Sequence, residues 1–343
     1  MPWRRLGAGL FLSGCLLAPG AFAGNIQAVI ATPDEGHIAW VAAQHLAAQT
    51  REKGLTLALS RTDGVLPSVS PQKLPRLFIR SLRELAGDVP ALSVLELPFF
   101  YPDLAAVHRA LESDLAAALR TAARERGWEI LGFWDEGLQV MSGNLAYTHP
   151  SQLQGKEFIL LREDPIAEME LRALDVWSRP SRPASLGQLH KECVVGSRSA
   201  TLQQISRERL ANVHLDLTLT RHRYEAWVVA MSRADWAKLK PAEQTALTEA
   251  LRDMQGWQRE RAQVAEAAAL DELTRAGGMT AHPLAPDIWA RYRSMQPEWT
   301  QFLSPAIPAE SRRRLVMLAA TAAGIDPGPG GQQPSTQVAP QSP

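Results

Sequence analysis

From Pro241 the sequence offers no helix stop for 36 residues. Proline suits a first helical turn, PAEQTALTEALRDMQGWQRERAQVAEAAALDELTRA is rich in helix formers, and only Gly277-Gly278 ends the run. A helix of that length spans ~54 Å at 1.5 Å per residue, with Gly256 the place where it would bend. One lobe of a chain this size is not that wide, so the helix is expected to run across two core-bearing lobes. The 343 residues, 45% hydrophobic and 21% charged, supply material for two such cores.

The pattern at the start of the chain argues for α/β lobes. NIQAVIA (Asn25 to Ala31) reads as a strand. TPDEGHIAWVAAQHLAAQTREKG reads as a helix capped by Asp34 or Thr32, with Ile38, Val41, His45 and Leu46 as its apolar stripe and Gly54 at its end. Leu55 to Ser60 returns as a strand, and a β-α-β start favours a largely parallel sheet. Downstream, LSVLEL reads as a buried strand. A helix from Asp103 to Gly127 carries Leu104, Val107, Leu111, Leu115 and Leu119, and two strands, WEILGF and LQVMSG, are separated by Trp134-Asp135-Glu136-Gly137. GKEFILLRE reads as a strand, DPIAEMELRALDVW as a helix, and SLGQLHKE as a short helix feeding the strand-like CVVGS. VHLDLTLT (Val213 to Thr220) has half-buried strand alternation, and WVVAMS (Trp227 to Ser232) reads as a fully buried strand.

The N-terminus reads as an address. MPWRR is basic, LGAGLFLSGCLLAPG is apolar, and Ala21-Phe22-Ala23 is a small-x-small cleavage pattern, so a mature start at Gly24 is expected. Leu12-Ser13-Gly14-Cys15 offers a competing lipobox reading, with Cys15 as a lipid-anchored start. No other run approaches the ~18 apolar residues of a membrane span. Cleavage leaves Cys193 alone, an inert thiol in an apolar run.

Several function classes lose support. Lys plus Arg and Asp plus Glu are both 36, so no bulk field holds nucleic acid. There is no His-Glu-x-x-His, Walker A, dinucleotide glycine fingerprint or Gly-x-Ser-x-Gly elbow, and no nucleophile with a nominated base, so no enzymatic activity is expected. The eight histidines are scattered singly, which points to no metal, and no cofactor is expected.

Five stretches, in order, carry a resemblance: AGDVPALSVLELPFFYPDLAAVHRAL, RERGWEILGFWDEGLQVMSGN, SQLQGKEFILLRED, LHKECVVGSRSA and TLTRHRYEAWVVAMSRADWAKLKPAEQTAL. Together they resemble the DctP-type solute receptors of TRAP (tripartite ATP-independent periplasmic) transporters, over most of Asn25 to about Leu303. The resemblance implies an α/β, two-lobed periplasmic solute-binding-protein fold with mixed β-sheets and a long helix spanning both lobes. It also implies capture of a small organic solute, an organic acid or related compound, in an interlobe cleft, and delivery to the transporter's membrane subunits by a monomer. The division expected is an export signal over 1–23, one lobe over 24–144, the second lobe over 145–212, and a return to the first over 213–250. The long helix and completion of the second lobe follow over 251–325, then a disordered tail over 326–343.

Carried over residue by residue, the resemblance puts Gln139 where the family has an arginine after the glycine turn, and Ile159 where its main carboxylate-binding arginine ends a strand. Arg162, three residues on, is expected to face the opposite side. The family's Gly-x-Val-Asp-Gly-x-Glu-Asn motif falls on Glu192 to Ser199, replacing its last three polar anchors by Val195, Arg198 and Ser199. Candidate ligand-binding residues are therefore Gln139, Arg198, Ser199, Trp134, Phe99 and Tyr224. Arg198→Ala is expected to abolish the ligand response with the fold intact. The alternative is a receptor-fold protein that has lost solute binding and serves as an exported interaction or sensory module.

Overall fold

A computed structural model of the chain describes residues 26–32, 34–62 and 74–326. The export segment with Cys15 and Ala23, and the tail beyond Asp326, lie outside the described residues. The strands are β1 (Ile26–Ile30), β2 (Leu57–Arg61), β3 (Arg76–Ser81), β4 (Trp128–Leu138), β5 (Val140–Gly143), β6 (Glu157–Leu160), β7 (Trp177–Pro180), β8 (Arg198–Ala200), β9 (Asp216–Leu219), β10 (Tyr224–Ser232) and β11 (Thr280–Pro283).

They form a five-stranded sheet in the order β2-β1-β3-β10-β4, a four-stranded sheet β11-β9-β5-β8, and the pair β6-β7. Both larger sheets are mixed. β1 runs parallel to β2 and β3, whereas β10 runs antiparallel to β3 and β4. The first sheet is covered on both faces, and β10 shows how: Tyr224, Ala226, Val228 and Ala230 enter one core while Trp227, Val229 and Met231 enter the other. Period-2 alternation sorts one strand between two apolar layers.

Two connections tie the sheets at one point. β4 leaves the first sheet at Leu138 and continues as β5 in the second. The Gln139 N–H between them donates to the Arg223 carbonyl at 2.8 Å, and the His222 N–H donates back to the Gln139 carbonyl at 3.1 Å. The β4-to-β5 and β9-to-β10 passages are thus clamped together where the chain changes sheet.

The long helix is present in two segments, Pro241–Asp253 and Gln255–Asp271, extended by a π-turn over Glu272–Ala276. The break falls at Met254 (φ −86°, ψ −5°), ahead of Gly256. Leu247, Ala250, Leu251 and Met254 pack in a core of the first sheet, while Ala269 and Leu273 pack under the second, so the helix braces both.

Several expected elements differ. LSVLEL is part of a 3-10 helix, Pro90–Glu96: Pro90 presets a helical φ and lacks an N–H, and burial of Ala91 to Glu96 on all sides erases the periodicity that would separate helix from strand. The helix after Asp103 splits into Leu104–Leu111 and Asp114–Glu125, because the Ser113 hydroxyl accepts from the Leu115 N–H and starts a new helix. Trp134 to Gly137 do not separate two strands. They belong to β4 and pair with β10 through register shifts at Glu225/Ala226 and Val229/Ala230. CVVGS is no strand: the helix Leu186–Cys193 ends there, Val195 is 75% exposed, and β8 begins only at Arg198. His37, in place of Asp34 or Thr32, caps the helix Ile38–Glu52 by accepting from the Ala39 N–H. Pairing also shifts the expected return at residue 213, since β9 joins β5 and β11 in the second sheet and re-entry into the first comes with β10.

Candidate functional site

A cavity of about 610 Å³ opens where the two sheets exchange strands, and both sheets contribute to its wall. The end of β4 supplies Glu136, with Gln139 just beyond it. β10 and the residue before it supply Arg223, Glu225 and Trp227. β8 supplies Arg198 and Ser199, and the start of the helix Leu82–Asp88 supplies Arg83. Asp164, which caps the helix Pro165–Ala173 by accepting from the Ala167 N–H, closes another side. Arg223, Glu225 and Trp227 share the wall because they lie two residues apart across the entry of a strand.

The wall is charged but internally paired. Arg83 reaches Glu96 through Nε (3.3 Å), Asp164 through Nη1, and Glu225 through Nη2 (3.7 Å). Arg223 donates from Nη2 to Asp164 (2.9 Å) and from Nε to the Gln139 side-chain Oε1 (3.2 Å), while its buried Nη1 has no partner among the described residues. Arg198 forks onto Glu208, with Nε to Oε2 at 3.2 Å and Nη2 to Oε1 at 3.0 Å, and its Nη1 donates to the Ile159 carbonyl at 3.2 Å. Glu136 accepts from Arg207 (3.1 Å) and from the Trp227 indole (2.8 Å). Glu225 accepts from the side-chain amides of Gln139 and Gln204.

Burial and pairing set the charge states. Burial works against the Arg83 charge, yet Asp164, Glu96 and Glu225 together raise its pKa above the ordinary arginine value. Asp164 is held below the usual carboxylate range because Arg223 and Arg83 outweigh its burial, whereas burial wins at Glu96 and raises it. Burial, aided by Arg207, lowers His37 to about 3, so this imidazole is neutral. Behind Ser199 lies a buried polar cluster. The Ser199 hydroxyl donates to the Gln139 side-chain Oε1 (3.1 Å) and lies 2.7 Å from His222 Nε2, which is 3.3 Å from Glu170 Oε1. Burial pushes Glu170 up to about 7, and burial with Arg223 lowers His222 well below its ordinary value.

Of the six candidates from sequence, Gln139, Arg198 and Ser199 are on the cavity wall, and the other three are not. Trp134 packs in a core of the first sheet. Tyr224 alternates away from Arg223 and Glu225 and donates its hydroxyl to Asp135 at 2.6 Å. Phe99, at φ 53°, is fully buried, stacked 5.1 Å from Tyr292 and 5.2 Å from His222, and so sits behind the wall. Ile159 is wholly buried in a core, and Arg162 lies at the rim, 3.7 Å from Glu84. β6 ends at Leu160, so alternation no longer governs where Arg162 points. Sequence reasoning missed Arg83, Asp164, Arg223 and Glu225. The alternation of Arg223, Glu225 and Trp227 on one face was the available signal, and Arg83 carried none. Among the described residues no group of His, Cys, Asp and Glu could hold a metal ion, and no helix is long and apolar enough to cross a membrane.

The chain matches the family described as bacterial extracellular solute-binding protein, family 7 (DctP), over residues 75–305. An uncharacterized protein of Haemophilus influenzae is 27% identical over 178 residues, 51% of this chain and 53% of that protein. The C4-dicarboxylate-binding protein DctB of Bacillus subtilis is 23% identical over 217 residues, 63% of this chain and 60% of that protein. The chain thus spans less than two thirds of either relative's length. In fold it is similar to a TRAP periplasmic solute-binding protein from Ochrobactrum anthropi whose C-terminus is bound in its ligand-binding pocket. The TM-score is 0.75 at 22% identity, covering 87% of this chain and 95% of that one.

Proposed function

The chain belongs to bacterial extracellular solute-binding protein family 7, the DctP family, and on that premise we propose that it is the extracytoplasmic receptor of a TRAP-type transporter. It captures a small organic solute between its sheets and delivers it to the membrane subunits, acting as a monomer and without chemistry on the solute. Export by residues 1–23 brings it to the periplasm, with Cys15 as the alternative anchor. Gln139, Arg198 and Ser199 contact the solute, joined by Arg223 and Glu225.

The observation that carries this reading is the cavity of about 610 Å³ at the strand exchange, with wall residues from both sheets. A solute there contacts both halves at once, so occupancy changes how they meet and a partner can sense it. Native mass spectrometry of the purified protein, followed by calorimetric titration of organic acids and neutral and zwitterionic solutes, tests the proposal. A bound small molecule or a titratable solute is expected. No solute stabilising the protein across such a panel overturns it.

A further inference from the structure

We infer that the solute is a zwitterion, carrying an ammonium or similar cationic group as well as a carboxylate. This inference rests on the receptor reading above.

The charge of the cavity is the first reason. Among the described residues that line it, seven carboxylates face five guanidinium groups. His37 adds no positive charge at neutral pH, and even a protonated Glu96 leaves carboxylates in excess. Four of the five guanidinium groups are also committed, Arg83 to Glu96 and Asp164, Arg198 to Glu208, Arg207 to Glu136, and Arg223 to Asp164, while Arg162 lies exposed at the rim, 3.7 Å from Glu84. A dianion entering here would add two negative charges to a wall already in deficit. It would have to strip arginines from buried carboxylates, which is costly in a partly dry site.

The second reason is how the charges are arranged. Asp34, Glu136 and Glu225 border the part of the cavity that holds Trp227 and His37, and Arg207 is the guanidinium paired there. Carboxylates beside an indole suit a cationic group. Arg223 borders the part next to Gln139 and Ser199, and it retains a buried Nη1 without a partner among the described residues. A guanidinium with a donor to spare, beside a hydroxyl and an amide, suits a single carboxylate. Glu225, 3.7 Å from Arg83 and bonded to both Gln139 and Gln204, stands between the two parts.

Calorimetry against matched solutes tests this: 4-aminobutyrate and an α-amino acid panel, butyrate and succinate as carboxylates without the ammonium, a hexuronate, and an alkylamine. At least one zwitterion is expected to bind tenfold or more tightly than its carboxylate-only counterpart and the alkylamine. Glu225→Gln, and separately Asp34→Asn, is expected to weaken the zwitterion tenfold or more and to shrink its advantage over the carboxylate-only counterpart. Succinate or the hexuronate binding while every zwitterion fails overturns the inference and leaves the receptor reading standing. Absence of binding by every solute overturns the receptor reading and the inference with it. A bound zwitterion indifferent to both substitutions overturns the assignment of its cationic group.

Discussion

Arg198 shows how a wall residue can be structural at the same time. Its fork is spent on Glu208 and its remaining reach on the Ile159 carbonyl, so removal strands a mostly buried carboxylate and a buried carbonyl. Arg198→Ala is therefore expected to cost about 2–4 kcal/mol of stability, read as a lowered Tm alongside any loss of ligand response. A wild-type Tm in that variant would show the pair to be energetically idle. Glu170 and His222 make a second residue-level case. Glu170 binds its proton more tightly folded, at about 7, than unfolded, so its contribution to stability is greatest at acid pH and is lost as pH rises toward 7. His222 has the opposite sign. Its folded pKa is depressed, so its contribution is present above the unfolded histidine value and is lost as pH falls below that. The two slopes offset one another. Glu170→Gln removes only the first, so the variant's stability should fall more steeply than wild type from pH 7 to pH 5, by up to about 2 kcal/mol. Parallel stability curves for the two proteins in chemical denaturation at both pH values would contradict this.

At the scale of elements, the helix Gln255–Asp271 is fixed to β4 by one side chain. Gln258 accepts from the Asp135 N–H and donates to the Asp135 carbonyl, both at 2.9 Å and both buried. Gln258→Ala leaves that N–H and carbonyl without partners and is expected to cost about 2 kcal/mol or more, measured as a lower urea midpoint at unchanged m. The helix itself was legible in the sequence, since helix formers between Pro241 and Gly277 need no tertiary information. Its break at Met254 was not, because nothing local distinguishes that residue. The same contrast runs through the site. Gln139, Arg198 and Ser199 were found by register against a family pattern. Arg83 and Asp164 flank elements far apart in sequence and meet only in the folded chain, so no local pattern marks them. LSVLEL failed for a related reason, as a segment buried on every side has no period to read.

For the whole molecule, the backbone clamp between Gln139 and residues 222 and 223 joins the sheets at the cavity itself. A solute bound there would act next to this clamp, so a hinge at the clamp would turn a small local displacement into a large movement at the rim. The paired wall bears on kinetics in a different way. Four of its guanidinium groups are answered by carboxylates in close contact, and the field of the remaining carboxylate excess is screened beyond a Debye length of about 8 Å at physiological salt. A zwitterion offers no net charge for such a field to pull. Capture should then proceed at an unsteered encounter rate. Stopped-flow association should change less than about twofold between low and high ionic strength, and a steep salt dependence would reveal a long-range attraction. Such a receptor gains its selectivity after contact, through how slowly a well-matched solute leaves.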